Sequence, residues 1–310
     1  MAPVTNGRVL FNSIPENFPV PGQTTVYDES ETIDLEDVPL NGGVLIKTLD
    51  LSIDPYLRGK MRDPSIKSYS PPFEIGKPLY GGGIGVILLH QQYFVLEQLS
   101  GLIIIQNPHK LAWSTFTGVL GMPGLTAFAG WREFAQAKKG ETGVRDNWCG
   151  PSRILAWSFN SQLDGLKVIA SAGSDEKVEF IKELGADVAF NYKTTSTENV
   201  LQKEGPLDIF WDNVGGDILD AALIAANTRA RFIECGMISG YNTGHNGIKN
   251  IFQIVSKALS VLGNLVGLLA SKYIEEFRLF TEPKVASGAI KHREDITQGL
   301  AKVGDAILAV

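Results

Sequence analysis

Residues 166–193, LKVIASAGSDEKVEFIKELGADVAFNYK, carry two periodicities in succession. Val168 and Ile169 belong to a β-branched run of the kind that forms a buried parallel strand. A turn of small residues follows, Ser171, Ala172, Gly173 and Ser174. Beyond it Val178, Ile181 and Leu184 recur at helical spacing, and Phe180 widens the stripe. Ser174 suits an N-cap, Asp175 and Glu176 the positive end of the helix dipole, and Gly185 the C′ position. Residues 188–190 then give a second short strand. Strand, helix and strand make a βαβ unit, the repeating piece of a doubly wound sheet.

The alternation continues downstream. LDIFWDNVGG (207–216) reads as a buried strand ending in a glycine turn, with a helix expected over 217–227. RFIECGMISGYN (231–242) is the next strand and its turn, and helices are expected over 248–259 and 294–309. Upstream the pattern is different. Val44, Ile46, Leu49, Leu51 and Ile53 alternate with one slip until Asp54-Pro55 stops the ladder. GIGVILL from residue 83 and the stretch 93–105 add β-rich sequence, and Pro71-Pro72 and Gly81-Gly82-Gly83 punctuate it. From residue 114, STFTGVLGMPGLTAFAGWREFAQAKKG reads as a helix, a glycine-proline break and a second helix of about three turns. No repeats stand out. A β-rich part followed by strand-helix alternation, in 310 residues, predicts two domains.

Charge and cysteine content narrow the partners. A net charge of −6 with no basic run argues against nucleic acid. Cys149 and Cys235 cannot make a disulfide framework and point to a reducing compartment. The N-terminal MAPVTNGRVL lacks the pattern of a signal peptide, and SVLGNLVGLLA at 260–270 is too short to span a bilayer. The expectation is a soluble cytoplasmic protein with no membrane partner, for which a homodimer is compatible.

The end of the first strand carries a chemical message. NAD enzymes place an Asp or Glu there for the ribose 2′-hydroxyl. Here the residues are small and neutral, with Lys177 one turn into the helix. A carboxylate repels a 2′-phosphate, whereas Ser174 and Lys177 can donate to it, and Tyr192 can close the same pocket. On spacing alone Lys177 serves equally well as a solvated helix lysine, and Tyr192 as a strand-end aromatic. Together the three features favour NADP over NAD.

IDPYLRGKM, GVLGMPGLTAFAGW, KKGET, AGSDEKVEFIKELGADVAFNYK, DIFWDNVGG and ECGMISGYN resemble the zinc-independent medium-chain dehydrogenase/reductases. Within them the blocks are similar to the leukotriene/prostaglandin reductase and NADP-dependent alkenal double-bond reductase group. The resemblance implies an α/β protein, a GroES-like β-rich domain plus a Rossmann doubly wound parallel sheet domain. The expected layout is a substrate domain over 1–125, an NADP-binding domain over 126–285 and a return to the first domain over 286–310, with the cofactor in the cleft between them. Lys177 and Tyr192 correspond to the family's 2′-phosphate ligands, and Asn213 to a cofactor-contacting asparagine. Cys235, Gly236, Met237, Ile238, Ser239 and Tyr241 match the loop under the ribose, diphosphate and nicotinamide. Met122 and Thr126 match residues near the nicotinamide. Pro55 and Tyr56 match the substrate end of the cleft, Pro55 also counting as a cofactor contact and Tyr56 as the catalytic donor.

The implied reaction is metal-free hydride addition from NADPH to an α,β-unsaturated ketone or aldehyde. Tyr56 and the cofactor's ribose hydroxyl are the candidate donors to the developing oxyanion. Zinc relatives carry a Cys and a Gly-His-Glu motif where this chain has GKPLYGGGIG, and His90, His109, His245 and His292 are scattered. No nucleophile-elbow motif occurs.

Both domains are expected to be locally incomplete. Residues 141–165, ETGVRDNWCGPSRILAWSFNSQLDG, stand where the family has a strand, a glycine-rich turn and a phosphate-binding helix N-terminus. The chain offers Cys149-Gly150-Pro151-Ser152, and Pro151 has no N–H to give a phosphate. Around 85–96 roughly two dozen residues of the family pattern are missing, and the chain stops at AILAV before an expected strand and asparagine. Ser256 stands where some members have a substrate-side tyrosine. Two alternatives accompany the main reading: a zinc-free quinone or secondary-metabolism reductase, and a catalytically impaired relative lacking the phosphate loop.

Overall fold

The computed structural model describes residues 3–88, 93–96, 102–145, 165–245 and 247–310. The chain divides into two compact units, Met1–Thr117 with Ile296–Val310, and Gly118–Asp295.

In the first unit the described strands are β1 (Val4–Thr5), β2 (Arg8–Phe11), β3 (Thr25–Asp28), β4 (Thr32–Ile33), β5 (Val44–Leu51), β6 (Gly83–Leu88) and β7 (Tyr93–Leu96). All their pairings are antiparallel: β1 with β4, β2 with β3, and β5 between β6 and β7. The slip in the alternation of β5 appears as consecutive buried residues, Leu45 and Ile46, and as a register shift against β6 between Thr48 and Asp50. Pro55 then precedes the short helix α1 (Tyr56–Lys60), a position where its missing N–H costs nothing. The core of this unit is Phe11, Leu57, Met61, Phe73 and Ile307, the last supplied by the C-terminal helix. Among the described residues the β reading of 93–105 holds for Tyr93–Leu96, and residues 102–107 lie in no strand.

The second unit is built on a parallel sheet. Helix α2 (Met122–Gly130) runs into a wider π-type turn (Trp131–Ala135). Then come β8 (Thr142–Arg145), β9 (Lys167–Ala172), α3 (Asp175–Glu183), β10 (Val188–Asn191), α4 (Thr197–Glu204), β11 (Leu207–Asp212), α5 (Gly216–Ala225), β12 (Ala226–Glu234), α6 (Gln253–Ser256), β13 (Ser260–Gly263) and α7 (Val266–Ala286). The C-terminal helix of the first unit, α8, spans Val303–Ala309. The sheet order is β10-β9-β8-β11-β12-β13, with every pair parallel. Strand order reverses between β8 and β11, which is where a doubly wound sheet opens a ligand crevice at its carboxyl edge. Alternate residues feed two cores. Phe190, Phe210 and Phe232 pack with Leu219, Ala222 and Leu223 of α5, while Ile209, Trp211 and Ile233 pack with Ala127, Trp131 and Ala135.

Several expected elements change. The helix over 248–259 shrinks to α6, because Ala258 turns at φ +51° so that Leu259 enters the core and β13 can pair with β12. The helix over 294–309 is a 3₁₀ turn (Leu300–Lys302) and α8, both after Gly299 at φ +89°. The helix expected from residue 114 is one 3₁₀ turn, Trp113–Phe116. At the start of the segment 141–165, Thr142–Arg145 form β8, which lies between β9 and β11. The expected loop around Cys149, Gly150, Pro151 and Ser152 falls outside the described residues, as does His90.

Phe232 is fully buried and its ring centroid lies 5.3 Å from that of Phe210. Phe232→Ala is expected to lower stability by about 3–5 kcal/mol through the cavity it leaves, read by urea denaturation against the unsubstituted protein.

Candidate cofactor site

In an all-parallel sheet the carboxyl ends of the strands share one edge, and this is where the cofactor candidates of the second unit fall. Ser174 and Lys177 follow β9, Tyr192 follows β10, Asn213 follows β11, and residues 235–241 follow β12.

The β9–α3 turn forms as its sequence predicts. Ser174 is extended and its Oγ accepts the Lys177 backbone N–H at 3.4 Å, capping α3. Gly173 has Tyr192 beside it: a Cβ there would lie 2.7 Å from the tyrosine hydroxyl oxygen. The Tyr192 backbone N–H donates to the Ala172 carbonyl (3.1 Å), and Asn191 Nδ2 donates to Asp175 (2.7 Å). These contacts bring Tyr192 beside the β9–α3 turn that Ser174 caps. Lys177 is exposed, and among the described residues its ammonium has no ion-pair or hydrogen-bond partner. Neighbouring Glu176 is taken by Arg293 at 3.0 Å, which also stacks on Phe180. Lys177 thus offers positive charge at the strand end where a 2′-phosphate would bring negative charge, and Lys193 reaches the same turn, its Cε 3.3 Å from where a Cβ on Gly173 would lie.

The loops after β11 and β12 hold each other. Asp212 is buried, and its Oδ1 accepts the N–H groups of Val214 and Gly215, both at 2.7 Å. Its carbonyl accepts from Cys235 N (2.9 Å) and Gly236 N (3.2 Å). Ile238 N donates to the Asn213 carbonyl (3.0 Å), and Ser239 N (3.2 Å) and Oγ (2.6 Å) both donate to that of Val214. Gly215 and Gly216 sit at φ +69° and +58°, in the left-handed region that favours glycine. A Cβ on Gly215 would press on Met237 at 3.1 Å, and one on Gly236 on the Tyr241 hydroxyl at 3.3 Å. The turn is therefore a side-chain-free cradle backed by Met237, Ser239 and Tyr241, which suits close approach of a dinucleotide.

Met122 opens α2 and is partly exposed. The Thr126 hydroxyl donates to the Met122 carbonyl (2.7 Å) within the helix. Sequence reasoning missed Asn264, just after β13. Its Nδ2 donates to the Thr126 carbonyl (3.2 Å) and approaches Cys235 Sγ (3.9 Å), and Gly130 leaves it room, since a Cβ there would lie 2.3 Å away. The available signal was an amide placed directly after a strand, at the edge shared by the other candidates. Asp212 and Glu234 were also missed, although each is a carboxylate that closes an apolar strand.

Pro55 and Tyr56 belong to the first unit. Tyr56 opens α1, half-buried, and burial followed by the charge of Asp54 raises its pKa, against a smaller opposite effect of the Gly82 backbone N–H. Among the described residues no three His, Cys, Asp or Glu come together in a way that could hold a metal ion.

This strand order, with a glycine cradle at the switch edge, defines the class of dinucleotide-binding oxidoreductase domains. Residues 161–282 match a family model described as zinc-binding dehydrogenase, and residues 8–93 one described as the N-terminal domain of oxidoreductase. The chain is 36% identical to the NADP-dependent oxidoreductase RED1 of Cochliobolus heterostrophus, over 95% of this chain and 91% of that protein. It is 32% identical to the NADP(+)-dependent 2-alkenal reductase of Nicotiana tabacum, over 99% and 94% respectively. The crystal structure of CurA from Vibrio vulnificus in complex with NADPH superposes with a TM-score of 0.84 at 28% identity, covering 97% of this chain and 94% of CurA. The chain belongs to the zinc-independent medium-chain dehydrogenase/reductases, in their NADP-dependent double-bond reductase group.

Forcing a side chain into the cradle tests its geometry. Gly215→Ala is expected to cost about 1–2 kcal/mol for the left-handed backbone alone. Thermal unfolding of the cofactor-free protein measures it.

Proposed function

We propose that this chain reduces the carbon–carbon double bond of small α,β-unsaturated aldehydes and ketones, without a metal and with NADPH. The carrying observation is its likeness, over almost its whole length, to a relative named for NADP-dependent 2-alkenal reduction. The unpaired Lys177 ammonium at the end of β9 supports the choice of NADPH. Bound NADPH supplies the hydride that goes to the β-carbon.

In this reading residues 126–285 serve the cofactor, and 1–125 with 286–310 the substrate. Lys177 and Ser174 hold the 2′-phosphate and Tyr192 closes over it. Asn213 and the loop Cys235, Gly236, Met237, Ile238, Ser239 and Tyr241 carry the ribose, diphosphate and nicotinamide. Met122, Thr126 and Pro55 border the nicotinamide. Negative charge grows on the substrate carbonyl oxygen, and the Tyr56 hydroxyl is the donor assigned to it. Its raised pKa keeps the phenol protonated at neutral pH, so it acts by donating a hydrogen bond and not as a base. The α-carbon takes its proton from solvent. The cytoplasm suits this chemistry and the reduced thiol of Cys235.

A second reading, a catalytically impaired relative, is favoured by one feature of the sequence. Residues 141–165 lack a glycine-rich turn and carry Pro151 where backbone donors to the diphosphate are needed.

The test is NADPH-dependent reduction of an enal such as 2-hexenal, alongside direct NADPH binding. Lys177→Ala is expected to weaken NADPH about 5- to 150-fold, about 1–3 kcal/mol, and to leave NADH unchanged. Equal losses for both cofactors would remove the 2′-phosphate role. Tyr56→Phe is expected to lower kcat about 10- to 100-fold with the NADPH dissociation constant unchanged. NADPH binding by the unsubstituted chain without enal turnover would decide for the impaired relative.

A further inference from the structure

Asp212 and Glu234 end adjacent parallel strands and stand opposite each other in register. By the alternation of β11 and β12 both side chains lie on the face of Phe210 and Phe232. Asp212 Oδ1 is occupied by the N–H groups of Val214 and Gly215. Its Oδ2 and both Glu234 carboxyl oxygens are buried and have no other hydrogen-bond partner among the described residues. Two facing carboxylates cannot both hold their charge in such a place, and one proton between them satisfies two of the three orphaned oxygens.

We propose that Glu234 is a positioning residue for the cofactor cradle, acting through a proton it shares with Asp212. Held by that proton, the Asp212 carboxylate stays aimed at the Asn213–Gly216 turn, while its carbonyl holds the start of the 235–241 loop. Loss of the proton sets two negative charges against each other beneath the turn. The inference rests on the reading of this edge as an NADPH site.

The proton stays on at neutral pH. Burial first, and then Asp212, push Glu234 up to about 9 from an ordinary value of 4.5. Other charged groups near that face are engaged elsewhere. Asp220 of α5 accepts the Lys249 and Asn250 backbone N–H groups, Lys249 faces Asp217, and Lys257 donates to the Leu223 and Ile224 carbonyls. His245 packs on Gly240 and Tyr241. On the opposite face, the π-type turn after α2 carries Arg132, paired with Glu276, and Glu133, bonded to Lys272 and Tyr273. Because the folded pKa is raised, the folded state holds a proton that the unfolded state has released. The stability this group contributes is fully present below about 4.5 and is lost as pH rises through about 9.

The test compares the unsubstituted protein with Glu234→Gln, whose amide can donate to Asp212 without titrating. NADPH dissociation constants are measured by fluorescence from pH 7 to 9.5. Unsubstituted protein is expected to weaken by about tenfold more than Glu234→Gln over this span, with the two within about threefold at pH 7. Every other group is common to both proteins, so the difference isolates Glu234. Parallel profiles would overturn the proposal. Amide exchange of Val214 and Gly215 in cofactor-free protein, corrected for intrinsic base catalysis, separates this outcome from failure of the NADPH reading. Protection is expected to fall above pH 9 only in the unsubstituted protein. If no NADPH binds at any pH, the functional reading fails, and equal protection in both proteins then removes the role of Glu234 as well. A Glu234→Leu variant, which cannot donate, is expected to lose protection already at pH 7; protection equal to Glu234→Gln counts against the shared proton.

Discussion

Both loops of the cofactor edge hang on Asp212. Its carboxylate takes the N–H groups that shape the glycine turn after β11, and its carbonyl takes those that begin the loop after β12. One residue thereby converts the regular spacing of two parallel strands into a fixed distance between two irregular loops. Buried polar groups are costly when unpaired and strong when fully paired, so this node either holds or fails as a unit. Ile238 and Ser239 add their backbone donors to Asn213 and Val214 and make the contact continuous.

Much of this was legible in the chain. The βαβ unit over 166–193 gave its strand, its Ser174 cap and its helical stripe, because each depends on neighbours within a few residues. The glycine turn was readable for the same reason. Helix α7 was not. Its buried face is Tyr273, Phe277, Thr281 and Val285, two of them carrying hydroxyls, while Leu268 and Leu279 face outward and blur the apolar stripe. Helix α4 buries only Leu201 and has almost no stripe at all. The length of α6 and the start of β13 were set by pairing with β12, which local pattern cannot see.

The candidate residues followed the same division. Gly173 and Tyr192 meet because β9 and β10 pair in parallel register. The hydrogen bond of the Thr126 hydroxyl to the Met122 carbonyl exists only once α2 has formed. Asn264 and Glu234 lie far in sequence from Thr126 and Asp212, and only the completed sheet order shows why they matter.

In the proposed reading, the contact of Tyr192 with Gly173 makes cofactor preference a matter of two positions and not one. An NAD-type enzyme needs an acid at the end of this strand. A side chain at 173 would strike the Tyr192 hydroxyl at 2.7 Å, so the tyrosine physically occupies the space that such an acid requires. On the same reading, exchanging Lys177 alone would remove an attraction to phosphate without creating a seat for the ribose hydroxyls. A change towards NAD at this edge would on that reading ask for a shift of the Tyr192 ring together with the new acid at 173.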